Sequence, residues 1–278
     1  MTDQIVCLGQ TFYHVLRSGR GWAVGSDFAG ISDVTVFNQT LVVLCRKQPE
    51  LLVLSLSGQH LRTVSLTNVI LGHGIRTLGP DMLAVTDVDG HQVLLLDKDF
   101  NEIHRLHCNN RPALGRPFNH PADCAKDSEG RFWITDGYGN SQVHVFSANY
   151  EFSHSIGGAG VENGEFTTPH AVALLANGNI AIADRENNRM QVLDADGTQQ
   201  FNILGLHKPM GLEVDGTTLY VTDQTPRLSA YDLQGKLIGR CRTFATYGHG
   251  VTCDHLGNIY IADMLPDGLT KLQPVEDT

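Results

Sequence analysis

The feature that most constrains the fold is an aspartate that closes an alternating apolar run again and again, at intervals of about 40 to 50 residues. A strand-turn-strand pattern with Asn-Gly, Asp-Gly or similar turns precedes these aspartates, and a further alternating strand follows most of them. Internal repeats of this length are typical of propeller blades. The repeated residues are Asp87, Asp136, Asp184, Asp223 and Asp263.

A divergent first unit fits residues 30–59, so the chain contains six units. The last unit lacks a fourth strand, and the N-terminal stretch QIVCLGQTFYHVLRSG offers a spare strand that would complete it and close the ring. No stretch has a helical period. We predict an all-β fold, a six-bladed β-propeller built as a single domain from residues 1–278, with a two-sheet sandwich as the alternative.

The composition argues against several kinds of partner. The net charge of −10 disfavours nucleic acid and anionic membranes, because both select basic surfaces. No apolar stretch approaches the ~18 residues that a membrane helix needs. The N-terminus has no basic segment followed by an apolar core, so no signal peptide is visible. We therefore expect a cytoplasmic protein with no nucleic-acid and no membrane partner.

Three histidines recur at one phase of the repeat, each fourteen residues before the aspartate of its unit. They belong to the second, fourth and sixth units, so in a six-fold ring they would converge on the axis. Three imidazoles with an open fourth position are a ligand set of catalytic zinc. A single histidine is more often a surface or hydrogen-bonded residue, but the shared phase predicts a zinc site. The proposed ligands are His73, His170 and His249, and the other units have Ala122, Met210 and Ile31 near this phase.

Two arginines and a tyrosine lie close to the aspartate phase. Arg185 directly follows the aspartate of the fourth unit, and Arg46 matches that position in the first unit. The planar guanidinium suits a carboxylate, although each arginine could instead pair with a local acid such as Glu186. Tyr138 comes two residues after the aspartate of the third unit, and it could be either a catalytic phenol or an aromatic lid.

Three segments, FNHPADCAKDSEGRFWITDGYGNSQVHVFS, GEFTTPHAVAL and IADRENNRMQV, resemble the peptidyl-α-hydroxyglycine α-amidating lyase domain, a six-bladed propeller of the NHL type. The resemblance is best over residues 115–200 and can be traced from 30 to 265. It implies a peptidylamidoglycolate lyase activity, which cleaves the C–N bond of an α-hydroxyglycine (carbinolamide) unit to an amide and glyoxylate. The residues that match the functional set of the family are the zinc ligands His73, His170 and His249, the substrate-contacting Arg46 and Arg185, and the essential Tyr138.

The resemblance also implies a division of roles in the site. Zinc would bind the α-hydroxyl group and lower its pKa, and Tyr138 would act as the base that takes the hydroxyl proton. Arg46 or Arg185 would hold the carboxylate of the substrate. Met210, at the histidine phase of the fifth unit, is expected to contact the substrate.

Departures from the family pattern widen the range of interpretations. Gly250 follows the last histidine where the family has an aspartate that helps to hold a structural calcium ion; Asp33 could compensate, so Ca²⁺ is a secondary expectation. The substrate is expected to be a peptide with a C-terminal hydroxyglycine or a small molecule such as ureidoglycolate. Two different functions compete with the lyase. One is a calcium-dependent propeller hydrolase, which the histidine set disfavours, and the second is a non-enzymatic NHL propeller that serves as a binding platform.

Overall fold

The computed structural model describes residues 4–23, 28, 30–107 and 111–275. Within these ranges every element of regular secondary structure is a β-strand, as predicted for an all-β fold. No helix long and apolar enough to span a membrane occurs in this described part of the chain.

The strands follow the repeat in chain order. The first six are β1 (Ile5–Leu8), β2 (Thr11–Arg17), β3 (Ile31–Phe37), β4 (Thr40–Cys45), β5 (Glu50–Ser55) and β6 (His60–Ser65). The next twelve are β7 (Gly72–Thr77), β8 (Met82–Asp87), β9 (Gln92–Asp97), β10 (Glu102–His107), β11 (Asp123–Lys126), β12 (Phe132–Asp136), β13 (Gln142–Phe146), β14 (Phe152–Gly157), β15 (Pro169–Leu174), β16 (Ile180–Asp184), β17 (Arg189–Leu193) and β18 (Gln199–Ile203). The last seven are β19 (Pro209–Asp215), β20 (Thr218–Asp223), β21 (Arg227–Asp232), β22 (Leu237–Arg242), β23 (Tyr247–Cys253), β24 (Ile259–Leu265) and β25 (Asp267–Pro274).

These strands form six antiparallel sheets. Five of the sheets consist of four strands in chain order, β3–β6, β7–β10, β11–β14, β15–β18 and β19–β22, and we call them sheets 1 to 5. Sheet 6 has the order β1-β2-β25-β24-β23. Each sheet is therefore one blade, and the prediction of a six-bladed β-propeller is confirmed.

The N-terminal segment completes sheet 6 as predicted, but with two strands in place of one. Strand β2 pairs with β25 from Tyr13, opposite Pro274, to Arg17, opposite Thr270. Strand β1 then pairs with β2 and adds a fifth, outermost strand. The first and last parts of the described chain thus share one sheet.

The chain forms two compact units, one of residues Thr67–Met210 and one of Met1–Leu66 with Gly211–Thr278. The first of these contains sheets 2 to 4. Its core lies between neighbouring sheets, and β12 shows how the sequence builds it. Phe132 and Ile134 point into the cluster shared with sheet 2, whereas Trp133 between them points into the cluster shared with sheet 4. This alternation follows from the two-residue period of a strand that is buried on both faces.

The other unit contains sheets 1 and 6 and most of sheet 5. One apolar cluster joins sheets 1 and 6, with Ile31 and Tyr260 among its fully buried members. A second cluster joins sheets 6 and 5, where Leu228 and Ile261 pack together. The single-domain organisation predicted for residues 1–278 stays a prediction.

The repeated aspartates are buried, and those of sheets 2 to 4 hold a loop at one edge of their sheet. The carboxylate of Asp87 accepts hydrogen bonds from the backbone N–H groups of Ile70 and Leu71 at 3.0 and 2.9 Å. Asp136 accepts one from Asn119 at 2.7 Å, and Asp184 accepts one from Thr167 at 2.8 Å. A buried carboxylate is costly unless such donors surround it, so the aspartate and its loop require each other.

The histidine phase falls at the first strand of its sheet, within an irregularity of the pairing. In sheet 2 the register passes from Gly72, opposite Asp87, to Gly74, opposite Thr86, and it skips His73. Similar register shifts occur next to the histidines of sheets 4 and 6. A β-bulge re-aims the side chain of the extra residue, so the bulge explains why these histidines do not follow the strand alternation.

Asp263 in sheet 6 has fewer donors than the aspartates of sheets 2 to 4. The Thr270 hydroxyl donates to its Oδ2 at 2.6 Å, whereas no described residue donates to its buried Oδ1. Burial raises the pKa of Asp263 to about 7, although Thr270 and the charge of Arg17 oppose the shift. Between about pH 4 and pH 7 the folded protein therefore holds a proton that the unfolded chain releases. This contribution to stability is present at low pH and is lost as the pH rises through about 7.

We expect Asp263→Asn to remove this pH dependence. Relative to wild type, the variant should gain about 3 kcal/mol in free energy of unfolding between pH 5 and pH 8. Urea denaturation of both proteins at the two pH values measures the difference. The same substitution at the exposed Asp196 serves as the control, and an equal response of the two variants would contradict the assignment.

Candidate active site

His73 and His170 lie side by side in the unit Thr67–Met210. Their ring centroids are 4.8 Å apart, and both side chains are buried. Nδ1 of His73 lies 2.8 Å from the carbonyl oxygen of Ala122, and Nδ1 of His170 lies 3.0 Å from that of Met210. Ala122 and Met210 occupy the histidine phase in units that lack a histidine, so these residues supply the backbone partners of the two rings. A hydrogen bond of this kind orients a metal-ligating imidazole and leaves Nε2 available.

Tyr138 lies where the two rings converge. Its hydroxyl oxygen is 2.8 Å from Nε2 of His73 and 3.0 Å from Nε2 of His170. The tyrosine belongs to the loop between β12 and β13, and 42% of it is exposed. The phenol therefore connects the buried histidines to the surface.

Arg185 supports the tyrosine. Its Nη1 donates to the hydroxyl oxygen of Tyr138 at 3.2 Å, and its guanidinium carbon lies 5.3 Å from the centre of the tyrosine ring. Nε and Nη2 are both directed at Oε1 of Glu186, at 2.9 and 2.8 Å. The second carboxylate oxygen of Glu186 pairs with Lys208 at 2.9 Å. The guanidinium is thus held in place by an acid, with one nitrogen directed at the phenol.

Two asparagines outside the predicted set hold the loops of the site. Asn140 donates to Asp136 at 2.8 Å and to the carbonyl oxygen of Ala113 at 2.9 Å. Asn187 likewise donates to Asp184 and to the carbonyl oxygen of Gly160, both at 2.9 Å. Each asparagine lies two residues after Tyr138 or Arg185. The shared motif Asp-x-x-x-Asn or Asp-x-x-Asn is the signal in the sequence that could have identified them.

The remaining predicted residues are placed as follows. His249 lies in β23 of sheet 6, buried, at the bulge between Gly248 and Gly250. Arg46 follows β4, and its backbone N–H donates to the carbonyl oxygen of Gly30 at 2.8 Å. Met210, at the start of β19, is buried as well.

Gly250 and Asp33 are fitted to each other within their own unit. A Cβ atom on Gly250 would lie 1.8 Å from Oδ1 of Asp33, so no other residue fits there while the carboxylate keeps its position. The same oxygen accepts a hydrogen bond from the backbone N–H of Val34 at 2.8 Å. Asp33 therefore occupies the space in which a side chain at position 250 would lie, and the calcium ion stays a prediction.

His120 is half-buried and packs edge-on against His91, with ring centroids 4.4 Å apart. Burial lowers the pKa of His91, and the neighbouring His120 adds to this effect. His120 lies two residues before Ala122, the residue at the histidine phase of its unit, and it is not one of the proposed metal ligands.

The donor set of the site suits a metal ion. His73 and His170 are buried in the unit Thr67–Met210, where their imidazoles could contribute ligands to a metal ion, and His249 is buried in its own unit. Imidazole nitrogens are ligands that zinc prefers, and the backbone acceptors at Nδ1 of His73 and His170 match the usual surroundings of such ligands.

Comparisons with known proteins agree with the motifs. The family model described as NHL repeat matches residues 166–193, which include β15 to β17. The chain is 29% identical over 208 residues to the probable peptidyl-alpha-hydroxyglycine alpha-amidating lyase pgal-1 of Caenorhabditis elegans, with 73% of this chain and 56% of that protein covered. It is 28% identical over 256 residues to the peptidyl-glycine alpha-amidating monooxygenase B of Xenopus laevis, with 80% and 27% covered. The chain thus spans about half and about a quarter of the lengths of these relatives.

Among solved structures, the fold matches that of a virginiamycin B lyase from Staphylococcus aureus with a TM-score of 0.67. The identity is 10%, and the match covers 95% of this chain and 100% of the other, so the likeness concerns the fold alone. The sequence relatives carry the closer relationship. Together with the NHL repeat, they confirm the resemblance found in the motifs: the chain is similar to the peptidyl-α-hydroxyglycine α-amidating lyases and to NHL-repeat propellers.

Proposed function

We propose that the protein is a metal-dependent carbon–nitrogen lyase that cleaves an α-hydroxyglycine-type substrate to an amide and glyoxylate. The observation that carries this proposal is the hydroxyl group of Tyr138, held between Nε2 of His73 and Nε2 of His170 with Arg185 beside it. A binding platform has no need of a phenol placed in this way. The names of the relatives support the same reaction class.

We assign the metal to His73, His170 and His249, and we propose zinc. Three neutral imidazoles leave an open position, as catalytic zinc requires. A zinc ion bound there would supply a Lewis acid for the hydroxyl group of the substrate.

The residues of the chain perform the proton transfers. Tyr138, as the phenolate, accepts the proton of the substrate hydroxyl group, and the guanidinium of Arg185 at 3.2 Å favours that anionic form. The electrons of the broken O–H bond form the aldehyde C=O, and the C–N bond breaks. The departing amide nitrogen then takes the proton back from Tyr138. The atoms balance as one hydroxyglycine unit giving one amide and one glyoxylate.

Arg46 is our candidate for the carboxylate of the substrate. Arg185 directs two of its nitrogens at Glu186 and the third at Tyr138, which suits it to support the base. Arg46 follows β4 and is half-buried, and we assign its planar guanidinium group to the carboxylate of the substrate. Met210 retains its proposed place beside the substrate, and its carbonyl oxygen orients the ring of His170.

His170→Ala should abolish metal binding. Loss of one of three ligands is expected to lower zinc affinity by at least about a hundredfold, since even changes to residues behind the ligands cost about 10-fold to 100-fold. Mass spectrometry of metals in the purified protein measures zinc per chain, with about one ion expected for wild type. His120→Ala is the control, because that ring lies outside the set. About one zinc ion per chain in the His170 variant would contradict the metal assignment.

Tyr138→Phe should separate chemistry from metal binding. We expect normal zinc content and a loss of about 10²-fold to 10⁴-fold in kcat, because the variant lacks the general base. Glyoxylate release from N-acetyl-α-hydroxyglycine gives the rate. Tyr150→Phe, in the loop before β14, is the matched control and should keep wild-type turnover. Full activity of the Tyr138 variant would show that another group takes the proton.

A further inference from the structure

The exposed apolar side chains of the unit Thr67–Met210 gather at one edge of its sheets. Of the seven large apolar residues exposed in its described part, two lie on the outermost strands β10 and β14, and the remaining five lie in loops at the edge that carries Tyr138. Apart from Tyr138 itself, these are Ile70, Leu114, Val161 and Leu204, exposed by 66, 84, 65 and 67%.

The four residues lie in equivalent loops of the repeat. Each lies in the loop that precedes the first strand of a sheet, and we call this loop the leading loop. The leading loops end at β7, β11, β15 and β19, where the histidine phase begins. Single exposed apolar residues need no explanation, but their recurrence in one kind of loop does.

The leading loops are fixed to the loops of the active site. Next to Leu114, the backbone N–H of Gly115 donates to the side chain of Asn140 at 3.0 Å. Next to Val161, the carbonyl oxygen of Gly160 accepts from Asn187 at 2.9 Å. The two asparagines belong to the loops that carry Tyr138 and Arg185, so the leading loops of Leu114 and Val161 are hydrogen-bonded to the loops of the proposed catalytic groups.

The leading loops of Ile70 and Leu204 are held in comparable ways. The backbone N–H of Ile70 donates to Asp87 at 3.0 Å. In the loop of Leu204, the backbone N–H of Lys208 donates to Asn188 at 3.0 Å. At the opposite edge of these sheets the turns are polar, as in Asp127-Ser-Glu-Gly and Asp194-Ala-Asp-Gly, and none of their described residues is a large exposed apolar one.

We infer that Ile70, Leu114, Val161 and Leu204 form an apolar rim that binds an apolar group on the amide side of the scissile C–N bond. This inference rests on the proposed function, and it selects a substrate with a hydrocarbon-rich acyl group over a small polar one such as a ureido compound. A ureido group would leave all four side chains in water. The net charge of −10 disfavours an anionic lipid surface as the occupant.

The test compares a long with a short acyl group. We expect kcat/KM of wild type to be at least about tenfold higher for N-octanoyl-α-hydroxyglycine than for N-acetyl-α-hydroxyglycine, because each buried methylene favours binding. In the double variant Leu114→Ser, Val161→Ser this ratio should fall towards one. The matched control is Ile103→Ser, Phe152→Ser, which changes two exposed apolar residues of the outermost strands and should keep the ratio.

Binding provides a second readout that does not depend on catalysis. N-octanoylglycine and N-acetylglycine lack the hydroxyl group, and calorimetry should give the same preference for the longer chain, again lost in the Leu114, Val161 variant. A wild-type ratio near one in both assays, or an equal loss in the control, would overturn the rim. Binding of phosphatidylcholine vesicles that depends on Leu114 and Val161 would overturn it too, in favour of a lipid surface.

The two proposals fail in different ways. Glyoxylate release from both compounds without a chain-length preference would leave the lyase standing and remove the rim. Absence of glyoxylate from either compound would remove the lyase activity, and with it the substrate that the rim is inferred to hold.

Discussion

The structure depends on a carboxylate that is buried at or near the end of the second strand in five of the six sheets, sheets 2 to 6. Such a group is tolerated only where donors surround it, and in sheets 2 to 4 the donors come from the backbone of the leading loop and from the turn that follows the strand. Asp136 also accepts from the ring of His144 at 2.9 Å, and Asp184 accepts from Arg189 at 2.7 Å. One side chain thereby sets the position of two loops, and these loops form the candidate active site.

The groups proposed for catalysis are held in place by the same aspartates. Tyr138 and Arg185 lie on loops that Asn140 and Asn187 tie to the same aspartates, so the phenol and guanidinium are held before any substrate binds. Catalysis gains most from polar groups that need no rearrangement during the reaction. Glu186 completes the arrangement, because it accepts two nitrogens of the guanidinium and leaves the third for the phenol.

Much of this fold was predictable because its signals are local. The aspartate repeat, the glycine turns and the two-residue alternation each act within about ten residues, which is why the six blades and the completion of the last one could be read from the sequence. The second N-terminal strand, β1, was missed since it pairs only with β2. The phase of His73 and His170 indicated their common position. The hydrogen bond from Arg185 to Tyr138 joins loops of different sheets, and the roles of Asn140 and Asn187 depend on the direction of their side chains. Neither feature follows from the spacing of residues in the sequence.

The bulge at the start of the first strand has an evolutionary consequence. Because the residue at the bulge of sheet 2 takes no part in the strand pairing, its side chain contributes little to the register of the sheet. Histidine, alanine, methionine and isoleucine all stand near this phase in the six units, on the same backbone plan. This position thus accepts different side chains without a change in the strand pairing. A single codon change there alters the chemistry of the site while the scaffold keeps its architecture, so blades of this design can gain or lose a metal ligand without having to invent a new fold.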